Sequence, residues 1–215
     1  MSPNSFLTEP CVYRENGIDD QDSADQLIAN KLIIQEIKDI RNRVPGCYDT
    51  PSLLEAAALY RLAEQSVGYI FEWGIWKGRS SAILNLPRPG NVLSLDHFKG
   101  DTTGGANPDI NVAFNHLDGC RFIVSDNQTF PYQLIDWKYF TVLVYDAQHL
   151  YPDIMHIMNQ VLPNVSPGTW LFFHDFKMRE TQRAVDKITT TPELGSWMSY
   201  HVLETRDQSI ILRKE

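Results

Sequence analysis

The sequence lacks several features that would assign it to a specialised class of protein. It has only three cysteines, Cys11, Cys47 and Cys120, which lie far apart and form no C-x-x-C pair. Such thiols fit neither a disulfide framework nor a zinc site, so we expect free cysteines in a reducing compartment. No segment approaches the roughly 20 apolar residues of a membrane span, and the first residues have no signal-peptide core. These absences favour a cytoplasmic protein without a membrane partner.

Positive charge is also scarce. The chain has 19 Lys and Arg against 27 Asp and Glu, which gives a formal net charge of -8. A protein of this charge has no general attraction for nucleic acid, so we expect a small molecule as its partner. With 43% hydrophobic residues in 215, the chain can bury the core of one large domain.

The N-terminal part is predicted to be an arm followed by one helix. The first residues, to about position 22, are polar and show no period. Apolar residues then recur at helical spacing, namely Ile33, Ile37, Ile40 and Val44. The helix is expected to follow a cap at Asp22 or Ser23. Its apolar face is expected to pack on its own domain, and the alternatives are a homo-oligomer contact and a lid over the active site. We therefore divide the chain into an N-terminal arm and helix, residues 1–50, and a domain of residues 51–215.

Short apolar strands alternate with helices through the rest of the chain. A second helix follows residue 50, where Thr50 can cap and where Ser52 and Glu55 fit a capping box. Strands are predicted at YIFEWG, NVLSLD, CRFIVS, YFTVLVYD and TWLFFHD, with helices at KGRSSAILNL and PDIMHIMNQVL. SWMSYHVLET and QSIILRK then form a hairpin. The predicted fold is α/β, a Rossmann-like, doubly wound, mostly parallel seven-stranded sheet with a C-terminal antiparallel hairpin and an N-terminal helical extension.

In such a sheet, ligands bind beyond the carboxyl ends of the strands. Several polar residues and a glycine occupy these ends: Glu72, Gly74, Asp96, Ser125, Asp126, Asp146, His174 and Asp175. Asp96 suits hydrogen bonds from a ribose diol, with capping of its own loop as the alternative. Gly74 and Gly78 form G-x-x-x-G, which lacks the closely spaced second glycine that binds a pyrophosphate, so NAD is disfavoured. A purely structural turn is the alternative here.

The stretch YDAQHLYPD places two reactive side chains at one strand end. His149 can take a proton from a substrate hydroxyl near neutral pH, although a structural histidine is the alternative. Asp175, at the end of the next strand, is expected to lie near Asp146. Two converging carboxylates could hold a divalent cation.

Together these motifs resemble the class I S-adenosylmethionine-dependent methyltransferases, in particular the small-molecule O-methyltransferases of macrocin type and, more distantly, of catechol type. Four stretches carry the resemblance, in order: FEWGIWKGRSS, which is similar to E-x-G-x-x-x-G-x-S, then VLSLDHF, VLVYDAQH and SPGTWLFFHDF. The resemblance runs from about Thr50 to the C-terminus.

The resemblance implies S-adenosylmethionine as cofactor and a role for each matching residue. The implied cofactor contacts are Glu72, Gly74, Gly78 and Ser80 for the methionine part, Asp96 for the ribose, and Ser125 and Asp126 for the adenine. Asp146 and His149 would be catalytic, with His149 as general base. In a metal-dependent relative, Asp146, His174 and Asp175 would bind Mg²⁺ or another divalent cation. His174 departs from oxygen ligation, which magnesium prefers, so metal dependence is open at this point.

The expected function is methyl transfer to a hydroxyl of a small molecule of sugar or phenolic natural-product type. Two alternatives are a nucleotide-dependent oxidoreductase of Rossmann type and a non-catalytic binding module that retains the fold. The segment 99–119 is long, polar and glycine-rich, and its first half is predicted to form a mobile loop over the substrate mouth.

Overall fold

The alternation of strands and helices is present in the computed structural model, which describes residues 11–14, 24–25, 27–44, 51–97, 119–205 and 208–215. The helices are α1 (Lys31–Arg43), α2 (Leu53–Gln65), α3 (Arg79–Asn85), α4 (Tyr151–Val161) and α5 (Arg179–Thr190). The strands are β1 (Cys11–Arg14), β2 (Tyr69–Trp73), β3 (Val92–Asp96), β4 (Arg121–Val124), β5 (Phe140–Tyr145), β6 (Trp170–Phe173), β7 (Trp197–Glu204) and β8 (Ser209–Lys214).

All eight strands form one sheet in the order β1-β7-β8-β6-β5-β2-β3-β4. Strand β8 runs antiparallel to β6 and β7, and every other pairing is parallel. The predicted mostly parallel sheet with its C-terminal antiparallel hairpin is therefore confirmed. The sheet also contains β1, in a segment that was predicted only as an arm, paired parallel with β7 so that Cys11 lies opposite His201.

Helices cover both faces of the sheet, which makes the fold doubly wound. On β5, Val142 and Val144 pack into a core shared with α1, α2 and α3. Their neighbours Leu143 and Tyr145 point to the other side, into a core shared with α4 and α5. Successive strand residues face opposite sides, so each strand contributes to both cores.

The helix starts are explained by their caps. Helix α1 begins after Asn30, whose Oδ1 accepts a hydrogen bond of 3.0 Å from the Leu32 amide. Ala24, Asp25 and Leu27 are also helical, and the predicted caps Asp22 and Ser23 lie outside the described residues. The buried residues of α1 join the core of α2 and α3. The capping box of α2 is confirmed, because the Ser52 amide donates to Glu55 Oε2 at 2.9 Å while Ser52 Oγ accepts from the Glu55 amide.

Helix α5 was not predicted, although its buried residues have helical spacing: Thr181, Ala184, Val185 and Ile188. Residues 98–118, which include the predicted loop over the substrate mouth, lie outside the described residues. Among the helices that the structure describes, none is both long enough and apolar enough to cross a bilayer.

Candidate active site

The carboxyl ends of four neighbouring strands meet at one rim of the sheet. Backbone hydrogen bonds continue the pairing one residue past the strands. The Gly74 amide donates to Leu95 O at 2.9 Å, the Asp146 amide to Trp73 O at 2.9 Å, and the His174 amide to Tyr145 O at 3.0 Å. The sheet geometry therefore brings Gly74, Asp96, Asp146 and His174 to the same rim.

The loop after β2 approaches this rim closely enough to require glycine. Gly74 has a φ of +89°, and a Cβ at this position would lie 1.9 Å from Asp146 O. Asp96 Oδ2 accepts hydrogen bonds from the amides of Ile75 at 2.8 Å and Trp76 at 3.1 Å. The Asp96 carboxylate thus fixes the loop 74–78 at the end of β3, and its contact with a ribose stays a prediction.

Glu72 lies beneath this loop and is completely buried. Its Oε2 accepts hydrogen bonds from Ser94 Oγ at 2.6 Å and from Ser81 Oγ, whereas Oε1 accepts none among the described residues. Burial raises the pKa of Glu72 to about 7, although hydrogen bonds from Ser80, Ser81 and Ser94 oppose the rise. Ser80 is accordingly oriented towards Glu72, at the start of α3 behind Gly78, whose φ is +86°.

Ser125 and Asp126 continue the rim beyond β3. The Ser125 amide donates to Asp96 O at 3.0 Å, and Asp126 Oδ1 accepts from the Gln128 amide at 2.8 Å. Their neighbour Asn127, to which the sequence motifs assigned no role in the site, is buried, and its Oδ1 has no hydrogen-bond donor within the described part of the chain.

At the ends of β5 and β6, three side chains converge as the acidic cluster of Asp146, His149 and Asp175. Each offers a ligand atom within 4.8 Å of the other two, and His149 Nε2 lies 3.0 Å from Asp175 Oδ2. Two carboxylates and an imidazole form a donor set that fits a divalent cation. Because one donor is nitrogen, the set suits Mn²⁺ or another transition metal better than Mg²⁺.

His174 lies beneath the acidic cluster and is not a member of it. Its Nδ1 lies 3.3 Å from Asp146 Oδ1 and 3.2 Å from Asp175 Oδ2, while Nε2 lies 3.7 Å from Glu55 Oε1. Burial alone would lower the pKa of His174, but Asp146 and Glu55 raise it well above its usual value. A protonated imidazole has no lone pair for a metal, so in this geometry His174 acts as a fixed positive charge below the two carboxylates.

Asp175 is ionised in this environment. Burial favours its neutral form, but the neighbouring His149 and His174 outweigh burial and hold the pKa of Asp175 well below its usual range. Its backbone has a φ of +53°, an uncommon conformation for a residue other than glycine. The sharp turn that this φ produces directs the carboxylate towards both histidines.

Glu55 also belongs to this region, although the sequence predicted only a helix-capping role for it. Its Oε1 accepts hydrogen bonds from Thr205 Oγ1 at 2.9 Å and Ser209 Oγ at 2.5 Å, so it connects α2 to the C-terminal hairpin. Burial alone would raise the pKa of Glu55, but His174 and the hydrogen bonds from Ser209 and the Ser52 amide lower it to about 2. The capping-box motif was the only sequence signal at this position.

Residues 71–176 match the family model described as a methyltransferase domain. The match begins within β2 and ends just after β6, so it includes the loop 74–78 with Gly74 and Gly78 (the glycine loop), Asp96 and the acidic cluster. No curated protein matches the chain significantly.

Solved structures share the fold, and two of the three that follow are described as O-methyltransferases. The cofactor-bound structure of Rv0187 from MTB is 12% identical, with a TM-score of 0.63 over 93% of this chain and 98% of that one. The O-methyltransferase NovP is 15% identical, with a TM-score of 0.58 over 86% and 97%. CalS11, described as a TDP-rhamnose 3'-O-methyltransferase of calicheamicin biosynthesis, is 16% identical, with a TM-score of 0.54 over 86% and 94%.

Proposed function

Because residues 71–176 belong to the methyltransferase-domain family, we propose that this protein transfers the methyl group of S-adenosylmethionine to a hydroxyl of a small molecule. One observation carries the proposal, namely that Asp146, His149 and Asp175 converge beside the glycine loop at Gly74. A proton acceptor and two carboxylates are thereby placed next to the loop that would hold the methyl donor. Such an arrangement suits alignment and deprotonation of a hydroxyl oxygen.

The residues at the rim fit S-adenosylmethionine. Gly74 and Gly78 present bare backbone because both have positive φ, and the side chains of Glu72 and Ser80 lie under the same loop. Asp96 is assigned to the ribose, and Ser125 with Asp126 to the adenine. When bound, the cofactor supplies a methyl group on a positively charged sulfur, and an acidic rim is electrostatically suited to that charge.

We assign the three members of the acidic cluster different roles in methyl transfer. Asp146 and Asp175 hold a divalent cation or position the acceptor hydroxyl, and His149 takes the hydroxyl proton. Its Nε2 lies 3.0 Å from the ionised Asp175 carboxylate, which favours a proton on that nitrogen, so the other ring nitrogen, Nδ1, is the one that accepts the hydroxyl proton. Proton acceptance contributes roughly 10² to 10⁴ in rate, and alignment contributes more.

Cofactor binding is tested with a pair of glycine variants. In Gly74→Ala the new methyl group would meet Asp146 O, so we expect the affinity for S-adenosylmethionine, measured by calorimetry, to fall at least about 100-fold. Gly168→Ala is the matched control, because Gly168 has a similar φ of +84° but no atom within 4 Å of an added Cβ. Wild-type protein that binds NAD(H) but not S-adenosylmethionine would support the oxidoreductase alternative instead.

The role of His149 is tested by His149→Ala, assayed for methyl transfer and for Mn²⁺ binding by electron paramagnetic resonance. A general base predicts a loss of turnover of at least about 100-fold with Mn²⁺ affinity retained. Loss of both turnover and Mn²⁺ binding would make His149 a ligand. His156→Ala on α4 is the control, since His156 is bonded to Gln128 O away from the acidic cluster. Cofactor binding without turnover of any hydroxylated acceptor in wild type would favour the non-catalytic module.

A further inference from the structure

Two helices that begin beside the acidic cluster have exposed apolar residues as their N-caps. Leu150 precedes α4 and is 62% exposed, and Met178 precedes α5 and is 46% exposed. Neither side chain can satisfy the free amides of its helix, whereas Asn30 and Ser52 do so for α1 and α2. Polar residues are strongly preferred at this position because they stabilise the helix start. Leu150 and Met178 therefore depart from the capping of α1 and α2, and they differ from Gly78, the N-cap of α3, in presenting a large apolar side chain.

Both residues are held at the rim of the acidic cluster. Leu150 directly follows His149, and the turn that leads to them is fixed by a hydrogen bond of 2.7 Å from the Tyr145 hydroxyl to Gln148 O. The Met178 amide donates to Asp175 O at 3.0 Å. The first turns of α4 and α5 lie side by side, since the Arg183 guanidinium is 4.2 Å from the centre of the Tyr151 ring.

From this geometry we propose that Leu150 and Met178 form the acceptor-binding rim of the site, and that the acceptor is a hydroxyl carried on an apolar ring, such as a phenol. The inference rests on the proposed function and selects the phenolic class over the sugar class. An exposed apolar side chain at a helix cap gains stability only when a ligand covers it. Departures from local rules of this kind concentrate at functional sites.

The chemistry of the acceptor follows from what the rim can cover. A phenol presents an apolar face to Leu150 and Met178 and one polar group to the acidic cluster. A sugar carries hydroxyls on every side, and those turned towards the rim would lose water without gaining a hydrogen bond.

The test compares 4-tert-butylcatechol with methyl α-rhamnoside as acceptors for the full-length enzyme with S-adenosylmethionine and Mn²⁺. We expect wild-type kcat/KM to be at least about tenfold higher for the catechol. Leu150→Ser and Met178→Ser should each raise its KM about tenfold, equivalent to about 1.4 kcal/mol. The Kd for S-adenosylmethionine should stay within about twofold. The Tm of each variant should equal or exceed that of wild type, because serine can cap the helix.

Two further variants separate binding from stability. Val67→Ser removes a still more exposed apolar side chain, 87% exposed, from the segment before β2 at the opposite, amino end of the strands, and should leave KM unchanged. Leu150→Met keeps the apolar surface and should retain a KM within about threefold of wild type, even if Leu150→Ser fails to fold.

The outcomes distinguish this inference from the proposed function. Preference for the rhamnoside, or an unchanged catechol KM in both serine variants, would overturn the phenolic rim while leaving methyl transfer intact. Failure of wild type to bind S-adenosylmethionine would overturn the proposed function and the inference together.

Discussion

Glu55 and Glu72 are two buried glutamates on the same face of the sheet, and they have opposite ionisation behaviour. Both are almost completely shielded from water. The pKa of Glu55 is lowered to about 2, whereas that of Glu72 is raised to about 7. Burial acts in the same direction on both, so the difference must come from their partners.

The partners differ in charge. Glu55 faces the His174 imidazolium and accepts hydrogen bonds from Ser52, Thr205 and Ser209. Glu72 is bonded only to neutral serine hydroxyls, and the nearby Asp146 adds a repulsive charge. A buried cation therefore keeps one carboxyl ionised, whereas hydroxyls alone leave the other about half protonated near pH 7. The ionised Glu55 lies next to His174 below the acidic cluster, whereas Glu72 lies beneath the loop 74–78 that is proposed to hold the cofactor.

Removing Glu55 should give the largest effect on stability. Glu55→Ala would leave the His174 imidazolium without its lower partner, and Thr205 and Ser209 without their acceptor. We expect a loss of about 3 to 5 kcal/mol in the free energy of unfolding at pH 7, measured in urea. Because the pKa of Glu55 is lowered, its contribution is present above pH 4.5 and is lost as the pH falls through about 2.

Glu64→Ala on the same helix is the matched control. Glu64 is partly exposed and pairs with Arg61, so its loss should cost less than about 1 kcal/mol. Equal losses for the two variants would mean that the His174 pair does not stabilise the ionised state of Glu55.

Glu72→Gln should reveal the opposite pH dependence. The pKa of Glu72 is raised from 4.5 to about 7, so its contribution is complete below pH 4.5 and is lost as the pH rises through 7. The lost contribution amounts to about 3 kcal/mol. The free energy of unfolding of Glu72→Gln relative to wild type should therefore rise by about this amount between pH 4.5 and 8. A difference that stays flat over this range would show that Glu72 is ionised throughout.

The fold could be predicted from sequence where the apolar pattern is local. Strands β2 to β8 are apolar runs or alternations, and each predicted run is a strand. Strand β1 was not predicted, because its four residues are too few to show a period within a polar segment, and it joins the sheet by pairing with β7. Helix α5 was not predicted, although its apolar residues recur at helical spacing in the sequence. The signal for this helix was therefore present and was overlooked.

The candidate site could be predicted only where topology determines the neighbours. Asp146 and Asp175 follow adjacent parallel strands, so their proximity follows from the strand order alone. The position of Glu55 depends on how α2 packs on the sheet, which no local pattern encodes. The environment of His174 was unpredictable for the same reason, since its charge depends on Glu55 as well as on Asp146.

The smallest expected effects come from two serines that make the same hydrogen bond to different carboxyls. Ser209 Oγ donates to Glu55 at 2.5 Å and Ser94 Oγ donates to Glu72 at 2.6 Å, and both serines are fully buried. Ser209→Ala removes a bond to an ionised group, so it should cost about 2 kcal/mol equally at pH 5.5 and 8. Ser94→Ala should cost about 1 kcal/mol at pH 5.5, where Glu72 is mostly neutral, and about 2 kcal/mol at pH 8, where it is ionised. Urea unfolding of both variants at the two pH values measures the comparison directly. The same pH dependence for the two serines would contradict the difference in charge between their acceptors.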